Sequence, residues 1–150
     1  MRAVLQRTTR ADVAVDGNIV SSAGSGLLIL LGVLKGDTHE DTRKLASKCC
    51  ELRIFSDGSG KMNRSIVEAG GEMLVVSQFT LAADCSRGRR PSFDPAAEPG
   101  EALALYEDFC RICRERGVEV KQGRFAAHMQ VSLVNDGPVT IVLDTRERIA

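Results

Sequence analysis

The chain has 150 residues, of which 43% are hydrophobic and 27% charged, a composition typical of one soluble domain with its own core. Its 20 basic residues balance 20 acidic ones, which excludes a global attraction to nucleic acid and leaves only a local basic patch for that role. Five unevenly spaced cysteines argue against a secreted disulfide framework, and without a signal peptide or a membrane-spanning apolar run the sequence predicts a cytoplasmic protein.

The first third of the chain is predicted to be β structure. Residues 13–15 and 19–20 flank Asp16-Gly17-Asn18, in which Asp-Gly is a strong signal for a tight hairpin turn. The continuous apolar run 27–34 follows a glycine and predicts a strand that is buried on both faces.

A helix is predicted next. Asp37 or Thr38 begins it, and Glu40 or Asp41 lies three residues further on, as in a capping box. Apolar residues recur at helical spacing and predict the buried face, which consists of Leu45, Ala46, Cys49 and Leu52.

The remaining elements are strands, one long loop and a second helix. The polar segment 84–100 carries three prolines and is predicted to be the loop, whereas residues 101–116 predict the helix, with Leu105, Phe109 and Ile112 on its inner face. The predicted strands are 52–55, 73–79, 118–120, 129–134 and 139–143. Together these elements predict a single α+β domain over residues 1–150 with two principal helices.

No motif supplies a conventional catalytic or metal-binding group. Gly58-Ser59-Gly60-Lys61 is not a P-loop, because Phe55 and Met62 occupy the positions of its first glycine and its final Ser or Thr. Cys110 and Cys113 have redox spacing but fall inside an amphipathic helix, so they are predicted to be core residues. Nothing completes a zinc site, and the sequence predicts neither a metal nor a cofactor.

Histidines and carboxylates do not make an obvious triad either. His39 belongs to a capping turn, so a Ser-His-Asp or Cys-His triad would need His128, which precedes a predicted strand. His128 is equally compatible with a surface or substrate-contacting residue. Asp136 and Asp144 can be proposed as acid and base, but nothing in their spacing distinguishes them from loop and strand-end charges.

Two segments remain of interest although they carry no reactive side chain. Ser77, Gln78, Phe79 and Thr80 end a buried strand, which is either a common place for a site or an ordinary strand that enters a turn. Gly137-Pro138 lies between two predicted strands, either as a hairpin corner or as a cis peptide with a structural or functional role. The residues alone leave these alternatives open.

At these two segments the sequence resembles the D-aminoacyl-tRNA deacylases. Ser77-Gln78-Phe79-Thr80 and Asn135-Asp136-Gly137-Pro138-Val139-Thr140 match the two signature motifs of that family. The likeness covers essentially the whole chain and includes Gln6-Arg7, Leu31-Gly32-Val33, Phe55, Gly60-Lys61-Met62-Asn63, Arg90-Pro91-Ser92-Phe93, Gly123-Arg124-Phe125 and Met129-Gln130-Val131.

The resemblance implies a mainly antiparallel, barrel-like sheet and a homodimer with active sites at the subunit interface. Residues 77–80 of one subunit would line the pocket for the aminoacyl ester, and Gly137-Pro138, joined by a cis bond, would enter it from the partner subunit. Phe125 and Met129 are similar to family residues that hold the terminal adenine of tRNA, and Arg7 is expected to orient the Gly-Pro segment.

The implied activity is hydrolysis of the ester between a D-amino acid and the tRNA 3′ end. L-aminoacyl-tRNA would be rejected, and glycyl-tRNA mischarged on tRNA(Ala) would be cleaved as well. In place of a triad, backbone N–H groups at residues 79–80 would form an oxyanion hole, and the ribose 2′-OH would orient or activate water. Separately, Arg87, Arg89 and Arg90 are predicted to contact tRNA phosphates. Two alternatives stay open: Thr80 as the nucleophile, and a non-catalytic RNA-binding module, which an aromatic content of 4% disfavours.

Overall fold

The computed structural model describes residues 1–147. The strands are β1 (Arg2–Val15), β2 (Asn18–Ala23), β3 (Gly26–Gly32), β4 (Phe55–Ser56), β5 (Met62–Arg64), β6 (Glu72–Ser77), β7 (Glu119–Gln122) and β8 (Gln130–Asp144). The helices are α1 (His39–Glu51), α2 (Ile66–Ala69) and α3 (Pro99–Glu115), and a short 3₁₀ helix spans Phe79–Ala82. None of the helices within these 147 residues is long and apolar enough to cross a membrane.

Six of the strands form one sheet that curls into a nearly closed barrel. Their order is β2-β1-β3-β6-β7, and β8 pairs with the other side of β1. Strand β1 is antiparallel to β2, β3 and β8, whereas the β3–β6 and β6–β7 pairs are parallel. Parallel neighbours require crossover connections, and the segments that contain α1 and α3 supply them. The predicted single α+β domain, with a mainly antiparallel, barrel-like sheet and two principal helices, is confirmed.

Strand β3 lies at the centre of the sheet and is buried on both faces, as predicted. Leu27, Ile29 and Leu31 pack in the larger core with α1 and α3. Leu28 points the other way, into a second core whose members come mainly from β1, β2 and β6. Because both faces are covered, an uninterrupted apolar run is the pattern that this position requires.

Local signals placed the first hairpin and the start of α1 correctly. Asp16 and Gly17 have φ values of 50° and 77°, the positive angles that a tight turn between β1 and β2 needs. Thr38 is the N-cap of α1, and its side chain and that of Asp41 form the predicted capping box.

Two predicted strand boundaries are wrong for reasons of tertiary pairing. The strand predicted for residues 73–79 ends at Ser77, because the chain turns there into the 3₁₀ helix. The strands predicted for residues 129–134 and 139–143 form one strand, β8, because both halves pair with β1. Gly137-Pro138 is therefore not a hairpin corner but an irregularity within one strand.

Smaller differences concern short elements. The strand predicted for residues 52–55 is reduced to β4, which pairs with the unpredicted β5. Helix α2 has four residues, too few to show a helical period in the sequence. Helix α3 begins at Pro99 rather than at residue 101, since proline is well suited to the first turn of a helix.

The amino group of Met1 is buried in an ion pair beside the start of α1. It lies 2.8 Å from Asp37 Oδ1 and donates to Thr145 Oγ1 at 2.6 Å. The other carboxylate oxygen of Asp37 accepts the Leu34 N–H at 2.7 Å. One buried carboxylate thus connects the beginning of β1 to the segment between β3 and α1.

The cysteines of the helices are core residues, as predicted for Cys110 and Cys113. Both are buried together with Cys49 and Cys50 in the core that α1 and α3 share, and all four are free thiols. Burial raises the pKa of the Cys110 thiol to about 12, so it stays protonated at neutral pH and is a poor nucleophile.

Candidate active site

A cavity of about 500 Å³ opens at the carboxyl end of β6. Ser77, Gln78 and Phe79 contribute one part of its wall, and Phe125 and Met129, from the segment between β7 and β8, contribute another. The fold thus brings together two groups of residues that the resemblance assigned to one site. Thr80 lies beside this wall in sequence but is not part of it, and Arg7 and Gly137-Pro138 do not line it either.

The turn after β6 is held tightly against the end of β3. The Gln78 N–H donates to the Leu31 carbonyl at 2.8 Å, and Arg2 Nη1 donates to the Leu81 carbonyl at 2.8 Å. A Cβ atom at Gly32 would lie 2.9 Å from Leu81 Cβ and 3.0 Å from the Gln78 oxygen. Any side chain at this position would therefore displace the 3₁₀ helix from the cavity rim.

Two backbone N–H groups at the start of the 3₁₀ helix are available to a ligand. Helices leave their first N–H groups without an internal acceptor. Within residues 1–147, neither the Phe79 N–H nor the Thr80 N–H has an intramolecular hydrogen-bond partner. A pair of fixed donors at the edge of a cavity is chemically suited to stabilise a developing oxyanion.

The side chains around these donors do not form a nucleophile–base pair. Gln78 Nε2 donates to the Thr80 hydroxyl, and an amide cannot take up the hydroxyl proton. His128 lines the cavity, but none of the described carboxylates lies within 4.0 Å of its ring. His39, the second histidine, is paired with Asp108 at 2.9 Å on the exposed surface of α1 and α3.

Asp136 and Asp144 likewise do not form an acid–base pair. Asp144 accepts from Arg2 Nε at 2.7 Å, whereas Asp136 lies 3.6 Å from Arg7 Nε. Each carboxylate has its own guanidinium partner, and the two lie at different positions along β8. These ion pairs favour the alternative interpretation, in which both residues are ordinary loop and strand-end charges.

The two residues predicted to hold an adenine rest on the core. The Phe125 ring packs on Tyr106 with 6.0 Å between ring centroids, and the Tyr106 hydroxyl donates to the Val75 carbonyl at 2.8 Å. Met129 lies over Gly123, where a Cβ atom would be 3.0 Å from the Met129 sulfur. These contacts fix two apolar surfaces on the cavity wall.

Gly137-Pro138 belongs to a wide bulge in β8. Gln6 pairs with Thr140 and Thr8 pairs with Asn135, so β8 has four residues where β1 has only Arg7. The Gly137–Pro138 bond is cis, as the resemblance implied. Residues 136–138 are exposed to solvent.

Side chains close the base of this bulge. Asn135 Oδ1 accepts the Val139 N–H at 2.7 Å, and Asn135 Nδ2 donates to Thr140 Oγ1 at 3.1 Å. Arg7 Nε donates to the Asp136 carbonyl at 2.9 Å, and Arg7 Nη1 donates to the Ile54 carbonyl at 2.5 Å. The Arg7 side chain is only 13% exposed, which supports its predicted role in orienting the Gly-Pro segment.

The three predicted phosphate contacts lie in a closed surface loop. Asp84 and Ser92 exchange two backbone hydrogen bonds, of 2.8 and 2.9 Å, which join the ends of this loop. Arg87, Arg89 and Arg90 are exposed between them, and no described carboxylate lies within 4.0 Å of their side-chain nitrogens. Their charge is therefore available to an anionic partner.

A family model described as D-Tyr-tRNA(Tyr) deacylase matches residues 4–144. The chain belongs to this family. A D-aminoacyl-tRNA deacylase of Syntrophotalea carbinolica is 57% identical over 147 residues, which cover 98% of this chain and 99% of the relative. A D-aminoacyl-tRNA deacylase of Dehalococcoides mccartyi is 56% identical over 149 residues, which cover 99% of this chain and 97% of the relative. The family resemblance inferred from the two motifs is confirmed.

Solved structures agree in fold. A protein described as c-Myc DNA unwinding element binding protein superposes with a TM-score of 0.91 at 41% identity, over 96% of this chain and 98% of its own. A probable eukaryotic D-amino acid tRNA deacylase superposes with a TM-score of 0.80 at 21% identity, over 95% of this chain and 97% of its own. At this identity the match supports the fold alone.

Two further residues, Asn135 and Phe93, make contacts that the sequence did not predict. Asn135 belongs to a signature motif, but its contacts across the bulge become visible only when β8 is known to be continuous. Phe93 follows the arginine loop and packs edge-to-face on Phe79, with 5.1 Å between ring centroids. The 13 residues between Phe79 and Phe93 contain no sequence signal for this contact.

Proposed function

We propose that this protein hydrolyses the ester that joins a D-amino acid or glycine to the 3′ end of tRNA, and that it rejects L-aminoacyl-tRNA. As a member of its family the chain is a hydrolase of aminoacyl-tRNA esters, a D-aminoacyl-tRNA deacylase. The observation that carries the proposal is the 500 Å³ cavity, in which the backbone turn of residues 77–79 faces the apolar surfaces of Phe125 and Met129.

The proposed mechanism uses backbone groups and the substrate itself. The aminoacyl ester is already activated, so the protein needs to position water and stabilise the negative charge on the carbonyl oxygen. The Phe79 and Thr80 N–H groups serve as the oxyanion hole, since the described chain offers them no internal acceptor. The ribose 2′-OH next to the ester orients or activates the water. Phe125 and Met129 hold the terminal adenine so that the ester reaches these donors.

Replacing Thr80 with alanine is expected to leave substantial activity. The hydroxyl accepts a hydrogen bond from the Gln78 amide and has no base beside it, whereas the backbone N–H of residue 80 survives the substitution. Single-turnover hydrolysis of D-Tyr-tRNA by Thr80→Ala measures this directly. A loss of about a thousandfold or more, roughly 4 kcal/mol, would favour the alternative in which Thr80 is the nucleophile.

Chiral selection is assigned to Gly137-Pro138 of a second copy of the chain. The segment is exposed and does not line the cavity of its own subunit, which supports its insertion into the cavity of a homodimeric partner. With the Gly137 and Pro138 carbonyls pressed against the substrate α-carbon, an L side chain collides with them. A D side chain projects away into open space, and glycine has no side chain to reject.

The proposal is tested by comparing D-Tyr-tRNA, L-Tyr-tRNA and glycyl-tRNA(Ala) side by side. We expect D-Tyr-tRNA and glycyl-tRNA to be cleaved and L-Tyr-tRNA to persist, because only the L side chain meets the carbonyls. Release of amino acid over time is the measurement. Appreciable cleavage of L-Tyr-tRNA contradicts the steric account, and the absence of any cleavage contradicts the proposed activity.

Neutralising the arginine loop is expected to weaken tRNA binding. A triple variant with Arg87, Arg89 and Arg90 changed to Gln removes three exposed cations, so both the affinity for tRNA and the slope of log K against log salt should fall. Hydrolysis of a short D-aminoacyl-adenosine ester, which lacks the phosphates, should persist. An unchanged salt slope would show that tRNA phosphates bind elsewhere, and Arg43→Gln on α1 serves as the control for loss of an exposed charge.

A non-catalytic nucleic-acid-binding protein is the second candidate. It is favoured by the solved structure whose description names binding to a DNA unwinding element, at 41% identity. Deacylation of D-aminoacyl-tRNA separates the two candidates, because a binding module would retain tRNA without releasing the amino acid. A cytoplasmic location is part of the proposal, since that is where translation uses the substrate.

A further inference from the structure

Two phenylalanine rings are exposed side by side at the mouth of the cavity. Phe79 is 57% exposed and Phe93 is 38% exposed, although the rings pack on each other at an interplanar angle of 71°. Single exposed apolar residues are common on proteins, but two adjacent aromatic rings that leave much of their surface to solvent favour contact with a ligand or partner.

The position of the pair restricts what that ligand is. Phe79 is part of the cavity wall, whereas Phe93 lies outside it and directly follows the closed loop that carries the arginines. The pair therefore connects the cavity wall, through Phe79, to the end of the loop that carries three exposed cations, through Phe93. Aromatic surfaces beside a cationic groove are the combination that binds single-stranded nucleic acid, since every base has a face that can stack.

We propose that the Phe79–Phe93 pair is the stacking surface for the base of the nucleotide that precedes the terminal adenosine of tRNA. The inference rests on the proposed function and deepens it by a second nucleotide subsite. With the adenine held by Phe125 and Met129, the next base follows the chain out of the cavity, where the two rings lie. Its phosphates then run toward the arginine loop.

The edge-to-face geometry suits this role. Because the two rings meet edge-to-face at 71°, part of the ring surface stays uncovered. A base can stack on this surface without separating the pair. Stacking is tolerant of base identity. The subsite therefore needs no base-specific hydrogen bond.

Three D-tyrosyl esters test the proposal without the rest of the tRNA. The first is the adenosine ester, the second is the cytidylyl-adenosine ester, and the third is the same dinucleotide with an abasic sugar in place of the cytidine. The wild-type protein should cleave the second with a kcat/KM about 5- to 100-fold above that of the third, a range that corresponds to the usual strength of one base–aromatic stack.

Substitutions assign this preference to the ring. Phe93→Ala should abolish the preference for the cytidine over the abasic dinucleotide, and Phe93→Tyr should keep it. Val67→Ala removes another exposed apolar side chain, which lies in α2 and is not part of the cavity wall, and this variant should keep the preference as well. Light scattering on each variant reports whether the oligomeric state changes.

The three esters distinguish failure of the stacking subsite from failure of the proposed function. If the wild-type protein cleaves none of the esters, the proposed function fails; if it cleaves the cytidine and abasic dinucleotides equally, only the subsite fails. A Phe93→Ala variant that retains the preference also overturns the proposal. So does one that loses activity on all three esters together with a change of oligomeric state, because the rings would then cover a partner subunit.

Discussion

Gly137→Ala is expected to reduce the ratio of D-Tyr-tRNA to L-Tyr-tRNA cleavage at least tenfold, about 1.4 kcal/mol. Gly137 has a φ of +146°, and an added Cβ would lie 2.7 Å from Val139 Cγ2 and 2.9 Å from the Val139 nitrogen. Those atoms cannot both move away within the bulge that Asn135 closes, so the backbone must shift. The two carbonyls proposed to exclude an L side chain shift with it.

The fold should survive this substitution, because residues 136–138 are exposed and lie outside the β1–β8 register. Circular dichroism and the initial rates on both esters, measured on the same preparation, are the observations needed. Gly58→Ala is the matched control, since a Cβ at Gly58 meets nothing within 4 Å. A folded Gly137→Ala protein with the wild-type ratio would show that chirality is read elsewhere.

Asp37→Asn is expected to lower the free energy of unfolding by about 3–5 kcal/mol, the usual effect of leaving a buried charge unpaired. The Met1 amino group is fully buried and the Asp37 side chain is 3% exposed, so water cannot replace the lost carboxylate. The substitution would also disturb the hydrogen bond that the Leu34 N–H donates to the side-chain oxygen of residue 37. Urea denaturation followed by circular dichroism measures the change.

The wild-type protein and its variants must be measured at the same protein concentration, because the unfolding of an oligomer depends on concentration. Glu40→Gln is the control, since the Glu40–Arg43 pair is about half exposed on α1 and its loss should change stability by no more than about 0.5 kcal/mol. If Asp37→Asn and Glu40→Gln behave alike, the buried pair does not stabilise the fold.

The features that sequence reasoning predicted correctly are those coded by neighbouring residues. Asp16-Gly17 specifies its turn through positive φ values, and the Thr38 and Asp41 side chains close their box within one helical turn. The apolar run of β3 needs no partner to be recognised as fully buried. The resemblance supplied the residues of the cavity wall, which composition and spacing did not identify.

The features that could not be predicted depend on residues far apart in the chain. The bulge at Gly137-Pro138 exists because β8 pairs with β1 on both sides of Arg7, about 130 residues away. Strand β6 ends at Ser77 because Gly32, on another strand, lets the 3₁₀ helix approach closely. The Phe79–Phe93 contact likewise depends on how the arginine loop folds back.

The β1–β8 ladder also determines when this protein can become active during its synthesis. It runs from the Arg2–Asp144 pair to the Ala14–Gln130 pair, so the ribosome delivers its two strands almost a full chain apart. Until β8 emerges, the edge of β1 that β8 covers stays open to unwanted strand pairing. Because Met129 immediately precedes β8, its part of the cavity wall is also completed only after β1–β7 and the three helices have been synthesised.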